Sequence, residues 1–90
     1  MAKTKTKTKS KKKYMPLYKC LLHNDDVHDM DTVIIAIMSV FKYDTAKACN
    51  IMMEAHKTGV ALCKIEPLEH AELHVEQMQS FSLTMTLEPA

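Results

Sequence analysis

From Leu17 to Glu88 the chain alternates short apolar runs with stretches whose apolar positions recur every three or four residues. The run LYKCLLH over 17–23 is short, apolar and bounded, which predicts a strand. Asn24, Asp25 and Asp26 break it with residues that favour turns. A helix is predicted over about 29–41, because Met30, Val33, Ile34, Ile37, Met38 and Phe41 make one apolar face. Asp44 suits the N-cap of a second helix that runs to about Thr58, with Ala48, Cys49, Met52, Ala55 and His56 on its inner side. Gly59 follows where a left-handed helix cap is wanted.

Val60 to Glu66 (VALCKIE) predicts a second strand, and Pro67 fits the first turn of a third helix. Leu68, Ala71, Val75 and Met78 form the apolar stripe of that helix. Ser82 to Glu88 (SLTMTLE) alternates and predicts the last strand. The order is β-α-α-β-α-β. The expected class is α+β: a small single domain with three helices on a three-stranded antiparallel sheet.

Composition changes this picture at one end. MAKTKTKTKSKKK has no apolar periodicity, so residues 1–16 are expected to form a flexible basic arm ahead of a folded domain at 17–90. Seven of the twelve lysines lie in that arm, which carries no acid. The domain holds the other five lysines against all eleven acids, so the net charge of +1 conceals a basic tail on an acidic body. The tail could meet nucleic acid by charge, but no aromatic residues interleave its lysines for base stacking, and the acidic domain is a poor partner for nucleic acid.

A chain of 90 residues buries only about 60–65% of its unfolded surface, so a shallow groove is more natural than a deep catalytic cavity. No apolar run approaches the roughly 18 residues of a membrane span, and lysine continues where a secretory signal would turn apolar. A cytoplasmic protein with no membrane contact is expected. Cys20, Cys49 and Cys63 are odd in number and widely spaced, which suits reduced, mostly buried thiols.

No catalytic set emerges. A single glycine cannot form a phosphate-cradling loop, and Ser39, Ser80 and Ser82 lack an elbow motif. Cys63 and His56 could be imagined as a thiol–imidazole pair, but with three cysteines and five histidines such coincidences are cheap. His70 and His74 share a helix side and could bind zinc only with further ligands, to which Glu69 and Glu72 are loosely suited; a polar helix face accounts for them better. No enzyme activity, cofactor or metal is expected.

Two segments carry more specific chemistry. His23-Asn24-Asp25-Asp26 places two carboxylates and an amide at a strand-to-helix junction. On composition alone, turn and cap duty is the better account of such residues. Met52, Ala55 and His56 share one side of the second helix, where a histidine is usually a boundary residue. Brought together, the two segments would suit a positively charged amine attached to an apolar group.

The strings YKCLLHNDD, Met30, MMEAHKTGVALC and the closing TLE resemble the ClpS family, adaptors of the Clp AAA+ protease in the N-end rule pathway. The similarity runs from Leu17 to Ala90. It implies an adaptor that recognises destabilising N-terminal residues (Leu, Phe, Tyr or Trp) of substrate proteins and delivers them to a Clp AAA+ unfoldase. By the resemblance, Asn24, Asp25 and His56 grip the free α-amino group. Met30, Val33, Met52, Ala55 and Leu83 line the pocket for the first side chain, and Asp26 and His28 line the groove loop. Glu69 and His74 match the positions that dock on the unfoldase N-terminal domain, of the ClpA or ClpC type, where the family has an acid and a lysine.

Besides His74, two positions and one stretch depart from the family pattern. Ala55 replaces a larger aliphatic residue and implies a widened pocket. His28 replaces a small residue, often threonine, and the stretch after Phe81 is shorter. A monomer is expected, in a bacterial cytoplasm or an organelle of bacterial descent. An interaction module of related fold, without amine recognition, is the alternative.

Overall fold

The computed structural model describes residues 16–90. The basic arm expected over 1–16 therefore lies, apart from Pro16, outside the described residues. The elements are β1 (Leu17–His23), α1 (Met30–Phe41), α2 (Thr45–Thr58), β2 (Val60–Pro67), α3 (Leu68–Ser80) and β3 (Met85–Pro89). The three strands form one antiparallel sheet in the order β2-β1-β3, so the first strand of the chain is the central one. The predicted class and order hold.

Local chemistry explains the boundaries. Asp29 caps α1, its Oδ1 accepting the Thr32 N–H at 2.8 Å, and Asp44 caps α2 through the Lys47 N–H at 2.8 Å. Each satisfies a donor that the first helical turn leaves free. Gly59 ends α2 with φ 94°, and its N–H returns to the Ala55 carbonyl at 2.9 Å. That left-handed conformation is easy for glycine and costly for residues with a Cβ.

Pro67 stands one residue earlier than the sequence suggests. It is the N-cap of α3 at φ −60° and ψ 154°, and it also pairs with Leu17 at the end of β2. Its ring allows that φ, and an outer strand does not need the N–H that proline lacks.

The last strand is shorter than its alternation predicts, because Ser82 adopts φ 64°. The Ser82 N–H donates to the Gln79 carbonyl at 2.8 Å and the Leu83 N–H to the Met78 carbonyl at 3.2 Å. These are the two bonds of a Schellman cap, with serine where glycine is commoner. The in-out alternation nevertheless runs from Leu83 through Met85, both buried, so the sequence signal is real and only the ladder starts later.

The core lies between the sheet and the helices. Cys20 and Leu22 of β1, Ala61 and Cys63 of β2, and Leu83 and Met85 face Ile37, Phe41, Ala48, Ile51, Met52, Ala55, Ala71 and Met78. On α2 the buried line is Ala48, Ile51, Met52 and Ala55, while Cys49 is half-buried and His56 is exposed. The inner side is thus rotated from the predicted one, because Ile51 offers more apolar surface than the flanking imidazole.

Register shifts between Cys20 and Leu21, which pair with Lys64 and Leu62 and leave Cys63 without a partner. An unpaired residue exchanges the sheet faces of everything beyond it. Ala61 and Cys63 point inward, Lys64 and Ile65 are both exposed, and Glu66 is buried at 4% exposure. A glutamate thereby enters the interior where simple alternation would have sent Ile65.

Candidate functional site

The pairing of β1 with β2 builds the site. His23 lies opposite Val60, so the loop leaving β1 runs past the end of α2. The Asn24 N–H donates to the Gly59 carbonyl at 2.9 Å, tying that loop to the turn whose glycine caps α2. Four residues back from Gly59 is Ala55, and His56 follows it in the last turn of the helix. On the other strand of the sheet, the His23 N–H donates to the Thr84 carbonyl at 3.0 Å, which draws the Leu83 segment alongside.

The result is a solvent-open groove with about 340 Å³ of empty space, lined by Leu22, His23, Asn24, Asp25, His28, Met30, Val33, Met52, Ala55, His56 and Leu83. Every residue expected to grip an amine or to line a pocket borders it, and so does His28. Asp26 is outside the lining and accepts the Asn24 side-chain amide at 3.2 Å. Leu22 and His23 are additions. Leu22 was legible only as a strand residue and His23 only as the first residue of the polar segment, since nothing in the sequence says which end of β1 faces an opening.

The groove is apolar below and polar at the mouth. Val33, Met52, Ala55 and Leu83 are buried and packed into the core, so they form a fixed floor. Met30 is 47% exposed at the start of α1, where its flexible thioether can close over an occupant. Asn24, Asp25, His28 and His56 stand above them.

Asp25 is the most constrained group at the mouth. Its Oδ1 accepts the Val27 N–H at 2.7 Å and the His28 N–H at 2.9 Å, and its Oδ2 lies 2.7 Å from Nδ1 of His28. The His28 N–H, with help from the Val27 N–H and the His28 ring, holds this carboxyl below the usual range against the opposing effect of burial. Asp25 is therefore ionised at neutral pH, although its loop turns on the same side chain.

A second carboxylate–imidazole pair sits elsewhere. The acid there is Glu66, whose Oε2 lies 2.5 Å from Nδ1 of His74 and accepts the Cys20 thiol at 3.2 Å. The Lys64 Nζ is 3.8 Å from Oε1, and the Phe41 ring covers His74 at 4.7 Å between centroids. His74 is consequently half-buried rather than part of a polar helix face, whereas Glu69 and His70 are exposed. Beside it a larger, shallower hollow is lined by Phe41, Lys42, Lys64, Leu73, His74 and Gln77 among others.

Neither buried thiol, Cys20 or Cys63, is a ready nucleophile. Burial pushes both Cys20 and Cys63 up to about 12, with the Glu66 hydrogen bond adding to the effect at Cys20. Cys63 points into the core and is not hydrogen-bonded to His56 among the described residues. No cluster of three or more metal-ligating side chains occurs among the described residues, and no helix there is long and apolar enough to cross a membrane.

Comparison with known proteins gives a consistent result. The family model described as "ATP-dependent Clp protease adaptor protein ClpS" matches residues 13–86. The chain is 48% identical over 79 residues to the ClpS adapter of Gloeobacter violaceus, covering 87% of this chain and 85% of that protein. It is 39% identical to a chloroplastic adapter of Chlamydomonas reinhardtii, over 87% of this chain and 49% of that one. Among solved structures, Agrobacterium tumefaciens ClpS2 bound to L-phenylalaninamide superposes with a TM-score of 0.81 at 28% identity, covering 84% of this chain and 99% of that chain.

Proposed function

The chain belongs to the ClpS family of Clp protease adaptors, and from that premise we propose that its groove captures destabilising N-terminal residues of substrate proteins. The observation that carries this reading is the convergence of Asn24, Asp25 and His56 on the mouth of a groove floored by Val33, Met52, Ala55 and Leu83. An α-ammonium supplies donors and a positive charge. Asp25 supplies the charge and lone pairs to meet it, the Asn24 amide oxygen and a neutral His56 supply further acceptors, and the floor takes the first side chain.

The ligand of the Agrobacterium relative, L-phenylalaninamide, combines the same two features: a free α-amino group and a large apolar side chain. Acetylation would remove the charge and all but one of the donors, so the polar groups at the mouth would be desolvated with little in return. Leu, Phe, Tyr and Trp are the preferred first residues, since each buried methylene contributes about 0.8 kcal/mol. Ala55 leaves the floor wider than a valine would, so Ala55→Val shifts the ranking toward the smaller of these side chains.

On the same reading the protein acts as a monomeric, non-enzymatic adaptor, in a bacterial cytoplasm or an organelle of bacterial descent. It delivers its cargo to a Clp AAA+ unfoldase N-terminal domain of the ClpA or ClpC type. Glu69, exposed in the first turn of α3, and the outer edge of His74 form the docking side.

The test is a titration against peptides differing only in residue one (Leu, Phe, Tyr, Trp, Ile, Val and Lys) with an acetylated Leu control. Tight binding to large apolar residues is expected, with loss on acetylation and a loss of tenfold or more in His56→Ala. Equal binding of free and acetylated peptides would reject amine recognition and favour a plain interaction module.

A further inference from the structure

Asp25 has fewer free lone pairs than its place at the groove mouth suggests. A carboxylate offers about four acceptor positions. The N–H groups of Val27 and His28 use Oδ1 at 2.7 and 2.9 Å, and the His28 ring nitrogen Nδ1 lies against Oδ2 at 2.7 Å. An ammonium reaching Asp25 must therefore share Oδ2 with the imidazole of His28.

We propose that His28 is a positioning residue for amine capture, setting both the aim and the effective charge of Asp25, so that peptide binding responds to two imidazoles, His28 and His56. The inference rests on the amine-recognition reading above. Facing a carboxylate, Nδ1 must carry the hydrogen. When the ring is neutral, it steers Oδ2 and leaves the full negative charge for the incoming ammonium. When the ring is protonated, it forms an ion pair with Asp25, and the ammonium meets a compensated carboxylate with a second cation beside it. Protonation of His28 thus opposes binding, in the same direction as protonation of His56.

The surrounding charges do not reverse that sign. Asp26 and Asp29 lie in the same loop, and Asp31 lies in the first turn of α1. The Thr32 N–H holds the Asp29 carboxyl below the usual range. From β1, His23 borders the groove but bonds Thr86 Oγ1 at 2.7 Å, and from α2 His56 stands in the groove lining. The Asp25–His28 contact is also within one loop, three residues apart, and is partly open to solvent. It can therefore change charge without disturbing the core.

The experiment follows the dissociation constant of a labelled N-terminal Leu peptide from pH 8.0 to 5.5 at constant ionic strength. The full chain is compared with His28→Asn, which keeps a non-titrating N–H for Oδ2, and with His28→Ala. Wild type should weaken on acidification with a slope approaching two protons per pH unit, and both variants with a slope nearer one. At pH 8.0 His28→Asn should bind about twofold more weakly than wild type, and His28→Ala more weakly still. At pH 5.5 the order inverts and His28→Asn binds severalfold tighter than wild type, because only the wild-type ring can take up a proton that opposes the ammonium. Partial rescue by Asn together with the inversion distinguishes positioning of Asp25 from a merely structural role. An unchanged slope in His28→Asn, with normal binding at pH 8.0, overturns the role of His28 alone. No preference for the free over the acetylated peptide at pH 8.0 in wild type removes the amine reading and this inference with it.

Discussion

Among the described residues two carboxylate–imidazole pairs have similar geometry, Asp25–His28 at the groove mouth and Glu66–His74 between the sheet and α3, and they do opposite work. Asp25 is held mainly by backbone N–H groups of its own loop, and its histidine is an addition that a binding partner can compete with. Glu66 sits at 4% exposure with the His74 ring, the Cys20 thiol and a distant Lys64 as its company. A half-open pair can exchange partners with water or ligand at small cost, whereas a buried carboxylate has nowhere else to turn. The comparison teaches that burial, rather than contact distance, separates a carboxylate that can exchange partners from one that cannot.

The largest effect should come from breaking the buried pair. His74→Ala leaves the Glu66 carboxylate with one weak thiol donor and the Lys64 ammonium at 3.8 Å, and urea unfolding should show a loss of about 3 kcal/mol. Replacing both partners by apolar side chains, Glu66→Met with His74→Phe, should recover most of it, because the burden is desolvation of a charge. If His74→Ala unfolded like wild type, the contrast between the pairs would collapse. His28→Ala, in the open pair, should cost less than about 1 kcal/mol by the same measurement, since Asp25 keeps both backbone donors.

Acid sharpens the contrast further. The folded-state pKa of Asp25 is depressed, chiefly by the His28 N–H. Its contribution to stability is therefore present above the unfolded carboxylate value of about 3.9 and is lost as pH falls through the lower folded value. Asp25→Asn should flatten the decline of stability below about pH 4, measured by thermal melts at stepped pH. A decline as steep as in wild type would mean that the loop does not depend on the charge.

The smallest effect concerns the cap that delivers Leu83 to the floor. Ser82 bears a left-handed conformation that glycine adopts at no steric cost. Ser82→Gly should raise stability by about 0.5–1 kcal/mol, seen as a higher Tm, with peptide binding unaltered. Destabilisation would show that the serine side chain contributes more than its backbone costs.

The order of elements was readable from residues 17–90 because local rules dominate there: period two in LYKCLLH, caps at Asp44 and Gly59, and apolar stripes on three helices. The groove residues were readable through motif resemblance, and the β1–β2 pairing with the bond from Asn24 to Gly59 then brings Asn24 and Asp25 to the same groove as Ala55 and His56. The start of β3 was misplaced because alternation reports which side a residue faces and says nothing about the backbone conformation of Ser82.

By itself the sequence determined what short-range chemistry determines: which segments are strands or helices, where α2 stops, and that acids, an amide and an imidazole were available for a small cationic group. Only tertiary structure decided the rest. The unpaired Cys63 in β2 sent Glu66 inward to meet His74, a partner eight residues away on the next helix. Whether His28 faced solvent or Asp25, and whether Met30 was core or rim, likewise depended on packing. Register and burial arise from contacts between residues far apart in the chain, and no local pattern in either segment records them.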